Sequence, residues 1–257
     1  MTAALEAQLN ELYPADVVQD VLAKVYAPRP EFTLMTPPHM LNAAKPEWHE
    51  ELPGDPSLKE IIKHGLPQRG LSREVNTWRA KNAPNLWRGA RRVLAARALN
   101  LPTFYGAVWL RKITAQGDVT DYGLASLRVV TTAGVGYIVD AFQNLTEVEN
   151  FKYHGIGTGT NAESSADTAL QTELTTQYSP DNTRATGTVG EGASGNIYAT
   201  TGTITVDAAA TITEHGVFSQ AATGGGVLLD RSVFAAVGLA ASDSLQVPYQ
   251  ITFPAGS

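Results

Sequence analysis

Beyond Pro102 the chain is cut into strand-length runs of alternating apolar residues by clusters that favour turns, and this punctuation constrains the fold more than any other feature. YGAVWLRKIT and LASLRVVTT read as two strands. Gly117-Asp118 and Asp121 between them supply turn chemistry, so the pair predicts a hairpin. Further strands are expected at Phe151–Gly157, Thr183–Val189, Ile197–Val206, Ile212–Ser219, Gly226–Val233 and Ser244–Phe253, divided by SPDN, GEGASGN and TGGG. Many short strands with regular turns pair antiparallel and bury alternate residues. The expected fold is mainly β, with residues 101–257 forming an antiparallel, jelly-roll-like β-sandwich. Two short helices interrupt it. TAGVGYIVDAFQN, from Thr132 to Asn144, spaces Val135, Ile138, Val139 and Phe142 helically, and SSADTALQTEL, from Ser164 to Leu174, carries capping-box spacing at Thr168 and Gln171 with Leu170 and Leu174 one turn apart.

Residues 1–100 follow a different pattern. Leu5, Leu9, Leu12, Val17, Val18, Val21, Leu22 and Val25 recur helically around Pro14, which predicts two amphipathic helices between Thr2 and Tyr26. Residues 27–70 then hold eight prolines, a density that excludes a long helix or a central strand. Phe32, Leu34, Met35, Met40, Leu41 and Trp48 are too apolar for a solvated linker, so this stretch reads as an extended arm docked on a partner. From Gln68 to Asn100 eight Arg and Lys face Glu74 alone. A helix opening at Pro84 would set Leu86, Val93, Leu94 and Leu99 to one side and Arg88, Arg91 and Arg92 to another. One basic helix in an acidic chain is a weak nucleic-acid footprint, and pairing with carboxylates on a neighbouring protein is the favoured reading. The expected assembly interface comprises Phe32, Trp48, Trp78, Trp87, Arg88, Arg91 and Arg92, because Trp and Arg concentrate at interface centres.

Charge supports contacts between chains. Residues 1–100 carry 13 Lys and Arg against 11 Asp and Glu, and residues 101–257 carry 6 against 14, which favours head-to-tail packing of copies or contact with another subunit. Catalysis finds little footing. The chain has no cysteine, which excludes disulfides, zinc-thiolate sites and thiol nucleophiles. The glycine-rich stretch His154–Thr160 lacks the lysine and the following helix of a phosphate cradle, and reads as a strand-end turn using glycines at positive φ. His39, His49, His64, His154 and His215 show no metal-ligand spacing and read as turn or surface residues. No catalytic, cofactor-binding or metal residues are expected, and no cofactor. No apolar run approaches the ~20 residues of a membrane span, and the acidic N-terminus does not resemble a signal peptide.

Six pieces of the second half stand out by their order and spacing. They are T-A-G-V-x-x-I-x-D-x-F at Thr132–Phe142, Y-H-G-x-G-T-G-T at Tyr153–Thr160, and D-T-A-L-x-T-E-L at Asp167–Leu174. The others are I-T-E-x-G-x-F at Ile212–Phe218, L-L-x-R-x-x-F at Leu228–Phe234, and D-S-L-x-V-x-Y-x-I-T-F at Asp243–Phe253. Through them, from about Thr103 onward, the chain resembles structural proteins of tailed bacteriophages. The resemblance implies a non-enzymatic virion component with a β-sandwich core, made in the host bacterial cytoplasm and bound to other virion proteins as a homo-oligomer. A capsid decoration or cement protein lying across neighbouring capsid subunits is the first expectation. A tail, collar or fibre-attachment protein, with host-surface binding as a further role, is the alternative. No catalytic residue comes with the resemblance.

Overall fold

In the computed structural model, the structure describes residues 56–99, 104–147 and 151–253. The expected helix pair, residues 27–55 of the proline-rich arm, Phe32 and Trp48 lie outside these residues, and the last part of that arm, expected to be extended, forms a helix over Leu58–Gly65.

The fold is mainly β and antiparallel. After helices α1 (Leu58–Gly65) and α2 (Arg73–Ala98) come strands β1 (Tyr105–Ile113) and β2 (Val119–Val129), helix α3 (Thr132–Phe142) and strand β3 (Tyr153–Gly157). Three short strands follow: β4 (Tyr178–Ser179), β5 (Ala185–Thr186) and β6 (Thr188–Glu191). Four long ones complete the chain: β7 (Ile197–Val206), β8 (Ala210–Phe218), β9 (Leu228–Leu239) and β10 (Ser244–Thr252). One sheet runs β2-β1-β10-β7-β4, with β6 also on β7, and the second runs β5-β3-β8-β9. Alternate residues of the two sheets meet in one core, where Val108, Leu110, Val247, Tyr249 and Ile251 face Ile156, Ile212, Val217 and Phe234.

Strand alternation locates most elements to within a few residues. β1, β7, β10 and α3 lie where the pattern puts them, whereas the strand expected over Thr183–Val189 is divided between β5 and β6, and β2 begins at Val119 instead of Leu124, so that Asp121, expected in the turn, pairs with Arg111 inside the ladder. Asp167–Leu174 is not helical. Its backbone N–H groups at Gln171 and Thr172 donate to the Glu214 carboxylate, at 3.0 and 2.7 Å, and that tertiary partner displaces the local capping box.

The largest departure concerns residues 56–99, expected to belong with an arm separate from the 101–257 domain. They pack on that domain instead. Ile61, Leu86, Ala90 and Val93 form a second buried cluster with Tyr105, Ala107, Trp109, Leu124 and Leu127 on the outer face of β1 and β2. Helix α2 does not begin at Pro84 but runs through it from Arg73. An internal proline costs about 3 kcal/mol, and the burial of Val75, Trp78, Arg79 and Asn82 in the preceding turns offsets it. Gly89 lets the helix come this close, since a Cβ there would overlap the carbonyl oxygen of Leu127. Helix α1 is held by a capping box in which the Ser57 hydroxyl accepts from the Glu60 N–H and Glu60 accepts from the Ser57 N–H.

Helix α2 also closes one side of the sandwich. Among the described residues β9 pairs only with β8, and its other edge presents backbone groups that need capping. The Ala235 N–H donates to Asn82 Oδ1 at 2.9 Å, and Trp78 Nε1 donates to the Ala235 carbonyl at 2.8 Å. One turn of strand away, the Val233 N–H donates to Glu163 and the Val233 carbonyl accepts from Arg128, at 3.2 and 3.0 Å. Side chains from α2, β2 and a loop thus occupy the place of a missing strand.

Candidate functional site

The expected interface residues that the structure describes are not gathered on one surface. Trp78 is buried and bonded to Ala235 of its own chain, so it is a core residue and offers no area to a partner. Trp87 is half-buried beside Gly65 and packs on the cluster beneath α2. Arg88 is half-committed within the chain, donating to Glu163 at 2.7 Å and to Asn85 at 3.1 Å. Only Arg91 and Arg92 are exposed. The i, i+3, i+4 spacing was sound, yet a carboxylate 75 residues away claimed one member.

The glycine-rich stretch also has a structural explanation different from the expected one. Gly157 and Gly159 are not among the residues at positive φ. They are small because the Glu214 carboxylate lies against them, and a Cβ on either would sit 2.5 Å from Glu214 Oε1. Glu214 is fully buried and accepts from the N–H groups of Gly159, Gln171 and Thr172 and from Arg231 Nε at 2.8 Å. Arg231 continues to Asp167 at 3.0 Å and Asn161 at 2.5 Å. Four of the six sequence pieces therefore meet at one carboxylate. A neighbouring pair finishes the cover: Arg184 holds Glu173 with two bonds, of 2.6 and 2.8 Å, and lies 3.4 Å over the Phe218 ring. These residues hold the 158–174 segment against the outside of β3, β8 and β9. The Glu214, Arg231, Glu173 and Arg184 charges are thus paired with one another and with the backbone of the segment they hold.

His154 and His215 are fully buried between the sheets, not on turns or the surface. His154 Nδ1 lies 3.0 Å from His215 Nε2, and His154 Nε2 lies 3.1 Å from Thr200 Oγ1 on the opposite sheet. One proton between the two rings satisfies that contact with both neutral. Burial lowers His154 to about 3, and burial together with the neighbouring ring pushes His215 well below the usual histidine range. Asp230, also between the sheets, is raised to about 7 by burial, against the pull of Arg128. Its Oδ1 accepts from Ser232 at 3.2 Å. Perturbed groups of this kind invite a catalytic reading, but all three are fully buried, and none lines the clefts beside α2 or the one at Glu163. Among the described residues no cluster of three or more His, Asp or Glu is placed to hold a metal, and no helix is long and apolar enough to cross a membrane.

What faces solvent without an evident structural duty is helix α3. Thr131 caps it, accepting from the Gly134 N–H at 2.9 Å and donating to the Leu228 carbonyl at 2.6 Å, which fixes the helix to β9. Gly134 is its one fully buried residue, with Tyr137 and Ile138 partly packed on the core. The other side carries Val135 and Val139, then Phe142 at 87% and Leu145 at 68% exposure. Four apolar side chains along successive turns form a stripe with Asp140 as the helix's lone charge. Such contiguous exposure marks contact sites, whereas scattered exposed apolar residues do not. Sequence periodicity finds the helix through the spacing of Val135, Ile138, Val139 and Phe142 but does not say which of them face solvent. A helix apolar on nearly every side gives no signal for which side is in.

No family model, curated protein or solved structure matches the chain.

Proposed function

We propose that this protein is a non-catalytic structural component of a tailed-phage particle, most specifically a capsid decoration or cement protein that binds across neighbouring capsid subunits. The observation that carries this reading is the exposed apolar stripe Val135, Val139, Phe142 and Leu145, on a β-domain whose buried ion pairs hold its own segments together. A body that gathers four exposed apolar side chains along one short helix and the residues after it is suited to repeated, symmetric contacts. Each contact is weak alone, and their number stabilises the shell. The family resemblance of residues 103–257 supplies the particle, and the stripe supplies the contact.

The experiment is incorporation into particles. With Val139→Glu and Phe142→Glu together, the isolated protein keeps its far-ultraviolet circular dichroism and melting temperature, since both side chains are already exposed, but its copies per particle drop at least tenfold. Quantitative gels of wild-type particles should give hundreds of copies. A handful would move the protein to the tail or collar, and none would overturn the particle reading altogether.

A further inference from the structure

The exposed face of α2 carries a second surface, of different chemistry from the α3 stripe. Arg73, Thr77 and Lys81 lie one turn apart and form a ridge. On one side an open groove of about 790 Å³ runs between the ridge and Pro67, Leu71, Asn76 and Ala80. On the other a smaller, more enclosed depression of about 390 Å³ is lined by Trp78, Tyr122, Ala236 and Gly238, with Glu74 at its side accepting from the Tyr122 hydroxyl at 2.7 Å. Neither Arg73 nor Lys81 has an ion-pair partner among the described residues. A partner here must bring apolar side chains for the floors and carboxylates for the ridge.

The chain itself contains such a segment. Residues 1–55 carry three Lys and Arg against nine Asp and Glu, a net charge of −6, whereas residues 56–99 carry ten against two, a net charge of +8. Within residues 2–26 the apolar series Leu5, Leu9, Leu12, Val17, Val21 and Val25 is interleaved with Glu6, Glu11, Asp16 and Asp20. Reach is not limiting. Pro56 stands at the start of α1, an eight-residue helix about 12 Å long whose other end runs into Pro67 and Leu71 at the groove. The 29 residues between Tyr26 and Pro56 extend to several times that distance. A tether of this length holds the segment at an effective concentration near the millimolar range, far above that of a second copy in dilute solution.

We infer that Thr2–Tyr26 docks on the Arg73–Thr77–Lys81 ridge of its own chain, with its leucines and valines in the flanking grooves and its carboxylates on the two cations. The inference is independent of the particle assignment, because it concerns the free protein and leaves copies per particle untouched.

Limited trypsin digestion of the full-length protein at low salt tests it, read by mass spectrometry at Lys24, since Arg29 and Lys45 are each followed by proline and resist trypsin. Arg73→Glu with Lys81→Glu should speed cleavage at Lys24 at least tenfold, and Asp16→Lys with Asp20→Lys added to that variant should restore much of the protection there. Equal rates in the wild type and the charge-reversed protein would overturn docking. Protection that grows with protein concentration would overturn the own-chain assignment in favour of a second copy. The absence of cysteine permits a check that does not depend on how the charge variants fold. Leu9→Cys paired with Ala80→Cys should form an intramolecular disulfide under mild oxidation, and Leu9→Cys paired with Ser194→Cys on a remote loop should not. Equal yields from the two pairs would also sink the proposal.

Discussion

The two sheets are covered on their outer faces by opposite means. Over β1 and β2, helices α1 and α2 lay down Ile61, Leu86, Ala90 and Val93, an apolar cover whose packing is non-directional and tolerant of small shifts. Over β3, β8 and β9, a non-helical segment is held by Glu214, Arg231, Asp167, Asn161, Glu173 and Arg184. That cover has a small apolar cluster of Leu170, Phe218 and Leu228, and its position is set by charge-assisted bonds of fixed geometry. The difference shows how a segment without repeating structure can be ordered. Its unpaired N–H groups need acceptors, and one buried carboxylate on a strand provides for three of them. An ionic cover should therefore fail abruptly when one partner is removed, and an apolar cover in proportion to the volume lost.

The sharpest break should come from Glu214→Ala. It leaves Arg231 buried and short of its main counter-charge, and strands the N–H groups of Gly159, Gln171 and Thr172. Removing one partner of a buried pair costs about 3–5 kcal/mol. Urea unfolding should show a loss in that range, with the 158–174 backbone losing amide-exchange protection before β1 and β10. A loss under about 1 kcal/mol would mean that the loop is held by its leucines after all.

Leu86→Ala should come next, at about 3 kcal/mol, the middle of the range for a fully buried leucine whose surroundings relax only partly. Its effect should be global. Helix α2 both covers the first sheet and caps the β9 edge through Trp78 and Asn82, so loosening it should lower the urea midpoint of the whole domain as one transition. A separate early transition for α2 would show that the two covers are equally local.

The apolar cover was more legible in the sequence than the ionic one. Period-two alternation carries strand positions because burial alternates with the pleat, and Ile197–Val206 and Ser244–Thr252 follow from it almost residue for residue. The helical spacing of Leu86 and Val93 likewise marked a buried face. What it could not give is the identity of the opposing surface, which is the chain's own β1 and β2. The ionic cover is built from pairs such as Glu214 with Gln171 and Arg184 with Gln220, brought together by folding across 43 and 36 residues. No local periodicity encodes such pairs. Their one trace in the sequence is a charged residue at a strand position between apolar neighbours, as in I-T-E-H-G-V-F and L-L-D-R-S-V-F. The same trace marks surface residues of half-exposed strands, and hence Glu214 and Arg231 were legible as conserved-looking pieces of a pattern but not as a site.

The smallest effect concerns acid, and it separates the sheets by a third criterion. His154 on β3 and His215 on β8 are held neutral, with folded values of about 3 and well below 6.5, so between pH 6.5 and 5 the unfolded chain binds protons there that the folded chain does not. Stability from this pair is present above pH 6.5 and lost as the pH falls. Asp230 works the other way. With its folded value at about 7 and an unfolded one near 3.8, the folded chain is the better proton binder over the same window, and its contribution grows as the pH falls. Two histidines against one carboxyl leave a net loss of about 1–2 kcal/mol from pH 6.5 to 5, from roughly 1.4 kcal/mol per proton per pH unit. Asp230→Asn removes the opposing proton and should about double the loss, although the variant's stability at pH 7 will shift for its own reasons. Urea midpoints at the two pH values give the slope, and amide exchange gives the place. β3 and β8 should lose protection ahead of β1 and β10, since both histidines stand on the sheet beneath the ionic cover. A slope unaltered in His154→Gln would remove the imidazole pair from the account and leave the acid response to the surface carboxylates.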